Sequence, residues 1–144
     1  MTIPSTPRST STSSISGTNV KAALAITAVF TVFIWFLEGI DYILPIDMDA
    51  WGVHGWSLTG FFPGFLLMPV LHAGFGHLIS NTVPIIVLGI LSAVKGLRPF
   101  LAATAIVLVV TGIGVWFTSP GVVTVGASGM IFGYFGYLIG RGLF

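Results

Sequence analysis

Long apolar runs separated by short polar punctuation fill most of this chain, and their lengths predict helices. "AALAITAVFTVFIWFL" predicts a first helix over about residues 20–40. "FGHLISNTVPIIVLGILSAV" predicts a second over about 75–94, "PFLAATAIVLVVTGIGVWFT" a third over about 99–118, and the run after Pro120 a fourth over about 121–140. Each matches the roughly 20 residues that cross a hydrocarbon layer. Pro84 lies inside the second and predicts a kink, with neighbouring helices satisfying the freed carbonyl. Between the first and second runs, residues 41–74 contain only the shorter "FFPGFLLMPVL", interrupted by two prolines and preceded by Trp51 and Trp56. That segment is expected to lie along the membrane interface or dip into it. Residues 1–19, mostly Ser, Thr and Pro, carry too little apolar surface to offset the entropy of ordering and are expected to form a disordered tail. The first apolar run starts late and lacks a small-residue cleavage site after it, so it reads as a retained helix, not a secretory signal.

Composition turns these helices into membrane spans. Of 144 residues, 55% are hydrophobic and only 6% charged, against roughly 25% charged in soluble domains. The fold class is therefore all-α, a polytopic helical bundle in a lipid bilayer. A net charge of +1 without a basic patch gives no footprint for nucleic acid, and the absence of cysteine excludes disulfides and thiolate metal sites. The few charges are sorted by position. Arg8 and Lys21 precede the first span, Lys95 and Arg98 separate the second from the third, and Arg141 follows the fourth. The four acids, Glu38, Asp41, Asp47 and Asp49, cluster where the first span ends. The positive-inside rule then places the N-terminus in the cytoplasm and residues 41–74 outside.

That orientation brings polar residues to one depth. The second span enters from outside near Phe75, which puts His77 and Asn81 in the outer half of the bilayer; four positions apart, they share a helical face. A fourth span entering near Gly121 would carry Ser128 about 10 Å along its axis, at a similar depth. Polar groups there need partners or a function. Interhelical hydrogen bonds are the simplest account of His77 and Asn81. Metal binding fits poorly, because His72 and His77 are five apart and no third ligand stands near them on the helix. Gly129, Gly133, Gly136 and Gly140 line one face of the fourth span as a small-residue stripe for close packing. Ser128 lies to one side of that stripe, where its hydroxyl could bond its own helix or serve as a nucleophile. A channel or transporter would need charged residues facing a pathway or inverted repeats, and the spans offer neither.

Two motifs together carry a resemblance: His72, His77 and Asn81 at the start of the second span, and Gly126, Ser128, Gly129, Phe132 and Gly133 in the fourth. The chain from about residue 20 to 144 resembles the rhomboid family of intramembrane serine proteases. The resemblance implies peptide-bond hydrolysis in transmembrane protein substrates through an acyl-enzyme, without metal or cofactor, in a plasma-type membrane. Ser128 matches the nucleophile. His77 and Asn81 match side chains that stabilise the oxyanion together with the Ser128 backbone N–H, and His72 matches a residue that orients the outer end of the second span. His54 matches no role. The family's general base is a histidine on a sixth helix, whereas this chain has no histidine after His77 and holds four of the six core helices. Either the chain is the front part of a longer protease, or it is a short non-catalytic relative that binds client transmembrane segments.

Overall fold

The computed structural model describes residues 17–142. Most of the expected N-terminal tail, residues 1–16, lies outside the described residues, while residues 17–19 already belong to the first helix. Three helices are long and apolar enough to cross a membrane: α1 (Gly17–Ile43), α3 (Phe75–Ala93) and α4 (Leu97–Thr118). At 1.5 Å per residue the shortest of them, α3, is about 29 Å long, close to the roughly 30 Å of a bilayer core. Several of their hydroxyls are satisfied on their own helices. Thr27 donates to the Ala23 carbonyl at 3.2 Å, Thr82 to Leu78 at 2.8 Å and Thr104 to Phe100 at 2.8 Å. Such back-bonding leaves a threonine little polar surface to show to lipid.

The segment between α1 and α3 is ordered. A single 3₁₀ turn (Met48–Trp51) leads to β1 (Val53–His54) and then α2 (Leu58–Leu67), which Ser57 caps by accepting the Gly60 N–H. Trp51 and Trp56 are exposed, as interfacial indoles are. α2 packs on β1 through two glycines. A Cβ at Gly60 would stand 2.6 Å from the His54 Cβ, and one at Gly64 would stand 2.8 Å from the Val53 Cα. Gly112 of α4 receives Phe65 from the other side.

The fourth apolar run departs from expectation. Its helix, α5, spans Ser128–Gly140, not 121–140. Residues 121–127 are a turn and an extended stretch whose Val123–Thr124 form β2, antiparallel to β1 with Val53 opposite Thr124 and His54 opposite Val123. β-branched residues at 122–125 suit a strand, and Gly126 at φ +117 adopts a backbone shape that ends any helix begun upstream. Ser128 therefore opens a helix; it does not lie 10 Å along one.

α5 packs between α3 and α4. Ala127, Met130 and Tyr134 join Ala23 of α1, Ile85 of α3, and Phe100 and Val107 of α4 in one buried cluster. Half of the glycine stripe makes this approach possible: a Cβ at Gly129 would clash with Thr111, and one at Gly133 with Val107. Gly136 and Gly140 face open space. On the other flank, α1 meets α3 where Thr27 sits over Gly89 and where the Trp35 indole donates to Thr82 Oγ1 at 3.0 Å.

The two halves of the stripe should respond differently to substitution. Gly133→Ala forces a methyl into the valine of α4 and should lower stability by about 1–3 kcal/mol. Gly136→Ala meets no atom within 4 Å and should be neutral or stabilising by up to about 1 kcal/mol, the helix-propensity gain. Thermal unfolding of both variants in detergent checks the contrast.

Candidate active site

Three backbone devices bring the polar residues together. Gly74, at φ +92, precedes the first turn of α3 and accepts the His77 N–H at 3.1 Å, which places His77 in that first turn and Asn81 one turn deeper. The β1–β2 pair anchors the chain entering α5. Gly126 then donates its N–H to the Met68 carbonyl at 2.7 Å, and Ala127 donates to His72 Nε2 at 3.3 Å. Ser128 follows immediately, the first residue of α5.

At this junction Ser128 Oγ lies 3.4 Å from His77 Nε2 and 3.2 Å from Asn81 Oδ1. Asn81 is buried, whereas His77 and Ser128 are half-buried and reachable. Gly126 is part of the same fit, since a Cβ there would stand 2.8 Å from His77 Nε2. The first backbone N–H groups of α5, those of Ser128 and Gly129 among them, have no acceptor within the helix. They add the positive end of the helix dipole to the surroundings of the hydroxyl. Negative charge forming beside Ser128 is therefore favoured.

The hydrogen-bond arithmetic defines two states of the site. A serine hydroxyl has one proton to give. With that proton on Asn81 Oδ1, the His77 contact is closed by an Nε2–H donating to Oγ. Asn81 Nδ2 is then buried without a partner. Half a turn of the carboxamide exchanges its ends, so that Nδ2 donates to Oγ and the serine proton is free to point at His77 Nε2. One constellation thus holds either a donor set aimed at oxygen or a serine–imidazole pair.

His72 stands apart from this contact although its ring centroid is 5.4 Å from that of His77. It is buried and accepts from Ala127, so its Nε2 carries no proton. Burial first, and His77 second, lower its pKa from 6.5 to about 4, opposed by the Val70 backbone. In the outer segment Asp49 is shifted the other way, its carboxyl pushed up by burial and then by Asp41 and Asp47. His54, which matched no role, contacts the Ala50 carbonyl at 2.8 Å within that segment. Among the described residues no group of three or more His, Cys, Asp or Glu could hold a metal.

The structure brings Ser128, His77 and Asn81 into direct contact and ties His72 and Gly126 to them through one backbone step. Phe132 points outward and is 74% exposed, and Gly133 serves packing against α4. The Met68 carbonyl and the Ala127 N–H escaped the sequence reading. The only trace of their role was Gly126, a residue free to turn the chain toward both.

A bundle of apolar helices that holds a serine, an imidazole and a carboxamide together at the start of one of its helices is a multi-pass membrane protein with an internal polar site. Comparison with known families matches residues 56–144, more than half of the chain, to the Rhomboid domain, and the chain belongs to the rhomboid family. Similar curated proteins are uncharacterized ones from Mycobacterium tuberculosis and Mycobacterium bovis, each 36% identical over 121 residues, which cover 80% of this chain and 50% of theirs. A further uncharacterized protein, from Mycobacterium leprae, is 36% identical over 121 residues, 48% of its own length. The chain spans about half the length of the curated relatives it matches. No solved structure matches it.

Two outcomes follow from the site's geometry. As pH falls from 6.5 toward 4, the unfolded chain takes up a proton at His72 that the folded one refuses, so stability should fall through this window. Thermal unfolding at several pH values should show that His72→Asn flattens this part of the slope. Gly126→Ala should displace the His77 ring and strain the backbone, and the imidazole chemical shifts of labelled protein should change at His77 more than at His54.

Proposed function

We propose that the protein containing this chain is a rhomboid-type intramembrane serine endopeptidase that cleaves transmembrane protein substrates. The observation that carries the reading is the contact of Ser128 Oγ with His77 and Asn81 at the N-terminus of α5. In the proposed reaction Oγ attacks the scissile carbonyl and forms a tetrahedral adduct. The Ser128 N–H, an Nε2–H of His77 and, after the carboxamide turns, Nδ2 of Asn81 donate to the oxyanion. A general base takes the Oγ proton and gives it to the leaving nitrogen as the adduct collapses, which expels the amine and leaves an acyl-serine that water, deprotonated by the same base, then hydrolyses. His77 cannot readily be both oxyanion donor and proton acceptor, so the general base is assigned to the remainder of a protein of the relatives' length. His72 keeps the backbone before Ser128 in place and touches no reacting atom.

The protein is proposed to lie in the cell membrane with the start of α1 in the cytoplasm, because Lys21, Lys95, Arg98 and Arg141 stand at one end of the bundle and the acids at the other. A second reading, a non-catalytic member that binds client transmembrane segments, draws support from the serine proton that Asn81 Oδ1 holds.

A fluorophosphonate probe applied to the full-length protein in detergent separates the two. For the protease, labelling occurs at Ser128 and Ser128→Ala abolishes both labelling and cleavage of a transmembrane substrate. Asn81→Ala, which removes one oxyanion donor, should slow cleavage by roughly 10²–10³-fold. Absence of labelling, with membrane clients retained by both wild type and Ser128→Ala, would establish the binding reading instead.

A further inference from the structure

Away from Ser128, the bundle contains an apolar cavity of about 190 Å³. Val70 of the outer segment and the buried Met130 and Tyr134 of α5 line its floor, and the exposed Leu66 of the outer segment, Ile26 of α1 and Leu101 of α4 stand at its mouth. Its hydroxyls are already engaged. Thr104 donates to the Phe100 carbonyl and is 2.7 Å from the Tyr134 hydroxyl, which must then be the donor of that pair, while Thr27 donates to Ala23. Water needs two to four polar partners to stay in such a space, and the lining, with every hydroxyl proton already committed, is almost wholly apolar. A smaller apolar cavity, about 150 Å³, is known to stay dry and to accept a benzene-sized ligand. The natural occupant is hydrocarbon.

The surroundings name the source. Ile26 and Leu101 are 41% and 45% exposed, and both belong to membrane-spanning helices. The mouth continues the apolar surface that Val29 of α1 presents to the bilayer. Lipid chains lie along this surface already, so entry is a sideways step. The headgroup end is also marked. Lys21 precedes Ile26 by five residues, and Lys95 and Arg98 precede Leu101 by six and three, all three exposed. At 1.5 Å per residue Lys21 and Arg98 stand about 5–8 Å beyond the mouth along their helices, toward the nearer membrane surface, with Lys95 in the turn just before α4. The acids stand at the far end of α1 and beyond. Clustered basic residues at a membrane boundary attract anionic headgroups.

We propose that this cavity is a binding site for one acyl chain of an anionic phospholipid from the leaflet on the Lys95–Arg98 side. The chain fills the space between α1 and α4, while its headgroup rests among Lys21, Lys95 and Arg98. Its position gives it leverage on the polar site without touching it. Met130 is two residues after Ser128, and Val70 is two residues before His72, so the lipid supports both sides of the Ser128–His77 junction.

The test does not depend on catalysis. Full-length protein is reconstituted in vesicles of equal phosphatidylcholine and phosphatidylglycerol, one or the other carrying a photoactivatable diazirine near the end of its acyl chain. Labelled residues are then mapped by mass spectrometry. Both lipids should label the outward-facing Ile106. The buried floor residues Met130 and Tyr134 should be labelled several-fold above Leu78, which is fully buried but does not line the cavity, and the phosphatidylglycerol probe should label them more. The double variant Lys95→Gln/Arg98→Gln should reduce that preference several-fold while leaving Ile106 unchanged. If Met130 and Tyr134 stay at the Leu78 background with both lipids, the proposal is overturned and the cavity is closed by another part of the protein. Equal floor labelling by the two lipids would overturn the anionic selection.

Discussion

A backbone N–H without a partner is expensive where water is scarce, and this structure is organised around one stretch that faces that problem. Residues 121–127 give up helical hydrogen bonds just before Ser128. Their groups are satisfied piecemeal: by the β1–β2 pair, by the Met68 carbonyl receiving Gly126, and by His72 receiving Ala127. These partners come from the segment between α1 and α3, while the Val122 N–H bonds to the Ser119 carbonyl at the end of α4. The elaborate outer segment and the late start of α5 are therefore two sides of one arrangement. Without the first, the second would leave polar backbone exposed to hydrocarbon. The same arrangement leaves the N–H groups of α5 pointing toward Ser128, where the candidate chemistry needs them.

Much of this was legible in the sequence. The apolar runs gave the three long helices to within a few residues, because hydrophobic length is nearly the whole signal for a span. The spacing of His77 and Asn81 placed them on one face. The serine and its flanking glycines stood out because polar residues in apolar runs are few. What the sequence did not display was the start of α5. Val122–Val125 are as apolar as a helix interior, and hydropathy cannot separate a strand lying against β1 from a further helical turn. A two-residue ladder between positions about 70 apart is also invisible to local pattern. His72 had a resemblance-based role, but its actual partner, a backbone N–H three-dimensionally close and 55 residues away, required the fold.

The glycines show the same limit. Their even spacing on α5 suggested a single packing stripe, yet only Gly129 and Gly133 receive α4. Gly126, the small residue nearest the serine, acts through its backbone angle and through the space it leaves for the His77 ring. Identical residues a few positions apart thus do three separate jobs, and only neighbours in space distinguish them.

The contacts of α2 bear on how far the outer segment can move beside Ser128. Gly60 and Gly64 bring α2 against β1 at distances that admit no side chain, Phe65 is set against Gly112, and the indoles of Trp56 and Trp116 reach across to the Phe117 and Ser57 carbonyls at 3.0 and 3.1 Å. A segment fastened to α4 at so many points moves as a wall, together with the helix behind it. Swinging it aside would break the strand pair and the bonds to Gly126 and Ala127, dismantling the junction that holds Ser128. An approach to Ser128 that left this junction whole would come from a side other than that of α2.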